Sequence, residues 1–149
     1  MAEYLLRRAG KGRFETFSAG SHPRGEPHPL TLRVLREFFQ IDASDARSKS
    51  WDEFRDQSFD MVITVCDHAK AACPIWPGAA VMAHWSSPDP AEAAGTDDQR
   101  LRAFRDVALQ IQRRVELLCS LPLESFDRAR LATATREIGE SETTSQSGT

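Results

Sequence analysis

Apolar positions recur at helical spacing in several stretches of the chain and run almost unbroken in one. Leu30, Val34, Leu35 and Phe38 share one face, which predicts an amphipathic helix over Leu30–Gln40. Leu101, Phe104, Val107, Ala108, Ile111, Val115 and Leu118 predict a long helix over Thr96–Cys119 that Pro122 brings to an end. Leu123–Ile138 predicts one more helix. Tyr4, Leu5 and Leu6 make Met1–Gly10 a helix with no capping residue before its first turn. In Arg13–Ala19, Phe14 and Phe17 stand among polar residues, the pattern of a short strand closed by Gly20. Ser21–Pro29 holds three prolines and a glycine, so it reads as a rigid loop. Trp51–Asp56 reads as a short helix with Ser50 placed to cap it. Phe59–Cys66, FDMVITVC, has the continuous apolar character of a strand buried on both faces of a parallel sheet. Asp67–Pro90 is loop-rich, with Ala79–His84 as a last strand. This order predicts an open α/β sheet. Such units normally open with a strand that feeds the first helix, and here the first element is a helix.

A length of 149 residues fits one domain, drawn at residues 1–139, with 140–149 as a disordered acidic Ser/Thr-rich tail. The 40% apolar content, eight Phe and three Trp are enough for a core. The net charge of −3 is carried by Glu137, Glu140 and Glu142, so the rest of the chain is neutral and a nucleic-acid surface is not expected. No apolar run of about 18 residues and no export leader occur, which points away from the membrane and toward the cytoplasm. There, three cysteines are free thiols, catalytic groups or metal ligands rather than structural disulfides.

Ligands of open α/β sheets bind beyond the carboxyl ends of the strands. The clearest strand runs out at Cys66, and Cys73 follows seven residues later. The two could form a redox pair across a loop that rearranges, or Cys66 could be a small buried hydrophobe and Cys73 an incidental surface thiol. A metal site from Cys66, His68, Cys73 and His84 is conceivable, but its spacing matches no strong zinc pattern. Asp89 lies between Pro88 and Pro90, and a carboxyl fixed in direction in this way suits a general acid. The plainer reading makes Asp89 the cap of a coming helix. Arg47-Ser48-Lys49-Ser50 is a basic loop able to attract an oxyanion or simply to be solvated. Cys119 lies near the apolar face of the long helix and belongs to the core, while His22 and His28 have no evident partner.

In order along the chain come Met1-Ala2-Glu3, Ser18-Ala19-Gly20-Ser21-His22-Pro23, Arg47-Ser48-Lys49-Ser50 and Val62-Ile63-Thr64-Val65-Cys66-Asp67. They continue with Cys73-Pro74, Pro77-Gly78, His84-Trp85 and Pro88-Asp89-Pro90. Together they resemble bacterial arsenate reductases built on the low-molecular-weight tyrosine phosphatase fold, and the likeness extends to about Gly139. It implies a three-layer α/β sandwich with a short parallel sheet. In that family a first strand and a Cys-x-x-x-x-x-Arg loop, which carries the nucleophilic cysteine and cradles the oxyanion, precede the Met-Ala-Glu. The chain begins at that methionine, so the resemblance implies a missing first strand and nucleophile, and a true start upstream of Met1 is expected.

By the same resemblance Asp89 is the general acid that protonates the departing oxygen. Cys66 attacks the cysteine–arsenic adduct and releases arsenite, and Cys73 then closes a Cys66–Cys73 disulfide. Cys119 takes no redox part. No bound cofactor is implied. The substrate is arsenate, and the partner is an external thiol reductant: thioredoxin, or a glutaredoxin or mycoredoxin with a low-molecular-weight thiol. The protein is expected to act as a monomer. Glu3, Ser18 and Asp52 fall near positions that bind potassium in some relatives. One alternative is a phosphatase on the same fold, although Ala91 stands where phosphatases usually carry an aromatic residue. The other is a non-catalytic binding remnant.

Overall fold

The computed structural model of the protein describes residues 1–73, 76 and 80–141, with His68 described through its backbone alone. Pro77, Gly78 and Ala79 of the predicted loop and strand, Pro74, and most of the expected tail lie outside the described residues. The molecule is α/β with a short parallel sheet, as expected. Helices α1 (Ala2–Gly10) and α2 (Pro29–Phe39) precede strand β1 (Met61–Thr64), and α3 (Asp67–Ala72) leads to strand β2 (Val81–His84). Then come α4 (Asp97–Cys119) and α5 (Arg128–Glu140), with 3-10 turns at Trp51–Phe54, Pro90–Glu92 and Leu123–Ser125.

Local chemistry accounts for the helix ends. α1 starts at Met1 with no side-chain cap and stops where Lys11 turns left-handed at φ 48°, its N–H reaching Arg8 O. α2 opens with Pro29 at its first position, where a missing N–H costs nothing. The preceding His28 caps it, Nδ1 accepting from Leu30 N at 3.1 Å. α4 opens with a capping box: Thr96 Oγ1 accepts from Gln99 N at 3.2 Å, and Gln99 Oε1 accepts from Thr96 N at 2.8 Å. The predicted helix over Leu123–Ile138 is in fact a 3-10 turn and then α5, which Asp127 caps by accepting from Arg130 N. Glu140, expected to begin the tail, is the last residue of α5.

β1 and β2 pair in parallel, Met61 with Val81 through Thr64 with His84. Val81 and Ala83 turn into the core, while Met82 on the opposite face is 47% exposed. The core gathers Leu5, Val34, Leu35, Phe104, Ala108, Val115 and Leu118 from α1, α2 and α4 with Trp85 and Ile138. α2 contributes Phe39 to it rather than the expected Phe38, which lies outside beneath the Arg105 guanidinium.

Two strand expectations are corrected. Arg13–Ala19 forms no strand: its backbone finds no ladder among the described residues, and the only pairing there is the single parallel bridge Gly20↔Ser50. The alternation reflects side-chain packing instead, since Phe14 rests against the core and Phe17 on Phe54 and Phe59. Phe59–Cys66 narrows to four strand residues, of which Thr64 alone is buried. A strand with one paired edge cannot be covered as a central strand is.

Candidate functional site

β1 ends at Thr64, and the chain leaves the sheet through Val65 and Cys66, both exposed. Cys66 precedes α3 and its sulfur accepts from Ala69 N at 3.3 Å. Cys73 follows the last residue of α3, so the helix separates two free thiols. The sequence read Asp67–Pro90 as mostly loop and did not anticipate this helix. Its six residues carry no long apolar periodicity to read.

Across from α3, at the end of β2, His84 joins the two elements. Its Nδ1 lies 2.7 Å from Thr64 Oγ1 and its Nε2 2.9 Å from Asp67 Oδ1. Asp67 is the first residue of α3, next to Cys66. A carboxylate only accepts, so Nε2 carries the proton toward Asp67. In the neutral ring Nδ1 then accepts the Thr64 hydroxyl. The pair of bonds ties the start of α3 to both strands. The conceivable metal site would draw on His84 with Cys66, His68 and Cys73. The structure engages both of its ring nitrogens otherwise, and among the described residues no group of three or more ligating side chains converges.

Asp89 stands where the chain leaves β2 for α4. Its Oδ1 accepts from Ala91 N at 2.9 Å and caps the Pro90–Glu92 turn. Its second oxygen, Oδ2, lies 3.8 Å from Arg24 Nη2, which brings the Pro-rich loop to this carboxylate. The segment before Asp89 is anchored from below. Arg114 of α4, 3% exposed, donates through Nη1 to Ser86 O at 2.8 Å and Ser87 Oγ at 3.3 Å. Ser87 N donates in turn to Val65 O at 2.9 Å, beside Cys66. The sequence offered no hint of Arg24 or Arg114 in this role, because both act on residues far along the chain.

An open cavity of about 340 Å³ lies at the start of α1, lined among others by Glu3, Ser18, His22, Arg24, Arg47 and Lys49. Cys66, Cys73 and Asp89 do not line it. Glu3 is 7% exposed and holds Lys49 Nζ at 3.2 Å. Asp52 pairs with Arg55 at 2.7 Å, so ammonium and guanidinium groups already meet two of the three residues considered for potassium. Arg47 of the basic loop is bidentate to Glu53 at 3.0 and 2.8 Å. His22 meets Ser21 Oγ at 3.1 Å, and the His28 ring lies against Phe104. Cys119 packs on the core, and burial pushes its thiol above the ordinary range.

A model of the low molecular weight phosphotyrosine protein phosphatase family matches residues 1–130. Among similar proteins is an arsenate reductase of Halalkalibacterium halodurans, 34% identical over 103 residues, or 69% of this chain and 73% of that protein. A glutaredoxin arsenate reductase of Synechocystis sp. is 30% identical over 118 residues, covering 79% of this chain and 84% of its own. A solved structure described as an arsenate reductase in reduced state superposes with a TM-score of 0.59 at 26% identity, over 80% of this chain and 85% of that one.

Proposed function

The chain belongs to the low molecular weight phosphotyrosine protein phosphatase family, and on that footing we propose that it serves the reduction of arsenate to arsenite through a relay of thiols. The observation that carries this reading is the pair of free thiols, Cys66 and Cys73, flanking one short helix at the end of β1. A phosphatase has no use for that pair, and the similar proteins are named arsenate reductases.

A first thiolate attacks arsenic, and Asp89 protonates the departing oxygen. Cys66 thiolate attacks the sulfur of the adduct, the electron pair of the S–As bond passes to arsenic, and arsenite leaves. Cys73 then attacks Cys66, forming the Cys66–Cys73 disulfide and freeing the first thiolate. Two thiols have lost two electrons and arsenic has gained them. The relay needs a first thiol and an oxyanion cradle besides Cys66 and Cys73, and no Cys-x5-Arg sequence occurs within residues 1–149. An external thiol reductant, such as thioredoxin or a glutaredoxin with a small thiol, reopens the disulfide. We place the reaction in the cytoplasm, where such reductants keep thiols free, and take the working unit as a monomer. No helix among the described residues is long and apolar enough to cross a membrane.

Closing the disulfide requires α3 to unwind. Residues seven apart along a helix are about 10 Å apart, beyond the roughly 7 Å that a disulfide spans between Cα atoms.

The test uses protein produced from its native locus. Cys66→Ser should permit the first thiol to react with arsenate yet stop repeated turnover, measured as arsenite released per enzyme. Undiminished multiple turnover in that variant would sink the relay. Phosphatase activity that survived Cys66→Ala, with no arsenite formed by the unmodified protein, would select the phosphatase reading instead.

A further inference from the structure

One contact of the Cys73 thiol is unaccounted for by the relay. Trp76 is 8% exposed, and its indole Nε1–H donates to Cys73 Sγ at 3.4 Å. The ring is held in place. Phe59 meets it edge-on, with centroids 5.6 Å apart and planes at 89°, and Phe59 is itself packed against Phe54 and Phe17. A buried indole N–H ordinarily takes an oxygen acceptor. Trp85 of this molecule does so, donating to Thr135 O at 2.8 Å. Trp76 instead directs the one polar atom of its side chain at a sulfur, and at the sulfur that the relay uses last.

We propose that Trp76 is a positioning residue for the final thiol step: its fixed indole N–H holds Cys73 Sγ in the place from which it attacks. An N–H bond to a thiolate is charge-assisted and stronger than one to a thiol. The inference rests on reading Cys66 and Cys73 as the redox pair. In the step itself, Cys73 thiolate attacks Cys66 Sγ within a mixed disulfide. The Cys73–Cys66 bond forms as the bond from Cys66 to the first sulfur breaks, and that sulfur departs as a thiolate that takes a proton from water. The indole keeps its proton and moves no electrons.

Cys66→Ser with Cys119→Ser leaves Cys73 as the only cysteine within residues 1–149, and iodoacetamide alkylation at neutral pH, followed by mass on the peptide that carries Cys73, reads its reactivity. Adding Trp76→Phe keeps an aromatic ring and removes the N–H. The expected result is alkylation of Cys73 slower by about threefold or more. That is the scale of one hydrogen bond lost from the attacking sulfur. An unchanged rate overturns the proposal, and a faster one shows that the indole merely shields the sulfur. If circular dichroism shows that Trp76→Phe does not fold, the Cys66→Ser, Cys119→Ser chain with Trp76 intact decides. Indole emission should then change in step with alkylation, and constant emission overturns the proposal. Neither experiment uses arsenate, so failure here and failure of the arsenate reading are separately visible.

Discussion

Tyr4 is the chain's one tyrosine, and its hydroxyl donates to Asp45 Oδ1 at 2.8 Å from a buried ring. Burial first, and the Asp45 carboxylate second, push its ionisation above the ordinary value near 10. The folded state therefore keeps this proton when the unfolded state has lost it. The stability so conferred is complete below about pH 10 and disappears as pH climbs through the raised value. Tyr4→Phe should lower stability by about 1 kcal/mol at neutral pH and flatten the alkaline fall, as read from urea unfolding between pH 8 and 11. A second residue-scale outcome concerns His84. His84→Ala removes the partner of both Thr64 Oγ1 and Asp67 and should speed amide exchange in α3 with little change in the global unfolding midpoint. Cys66, Cys73 and Asp89 could be named as candidates from the sequence because their chemistry travels with residue type. The His84 bonds, Arg24 at Asp89 and Arg114 under Ser86 could not, since each depends on residues brought together from 17 to 65 positions apart.

Among the elements, the long periodic ones were readable and the short ones were not. α4 and α2 carry enough repeats of an apolar stripe for the period to declare itself. α3 carries six residues, and the Arg13–Ala19 pattern belongs equally to a strand and to an extended segment whose phenylalanines pack without a ladder. α5 shows how sensitive the docking of one element can be. A Cβ on Gly139 would sit 2.5 Å from His84 O and 2.9 Å from Trp85 Cδ1, both at the end of β2. Gly139→Ala should therefore cost about 1–3 kcal/mol, visible as a lower urea midpoint. The damage would also reach the His84 bonds. Thr96→Ala, which opens the capping box of α4, should cost about 1 kcal/mol in the same measurement without that second effect.

Across the whole molecule, α4 is the member that the other long helices lean on: it packs against α1, α2 and α5 and sends Arg114 to the segment before Asp89. The sulfurs are held differently, by a six-residue helix at the end of a four-residue strand. Oxidation of the pair should strip amide protection from Asp67–Ala72 and leave α4 untouched, which hydrogen exchange on the reduced and oxidised chain can read. The contrast was not visible in the sequence, because stiffness is a property of what an element packs against. Arg114 thereby divides the site into an anchored half and a compliant one. Gentle softening of the protein, by heat or by a mild core substitution, reaches the compliant half first. A weakened variant should accordingly still take up arsenate at the first thiol, where Asp89 acts, and stall before Cys66 releases arsenite: a machine that loads and does not fire.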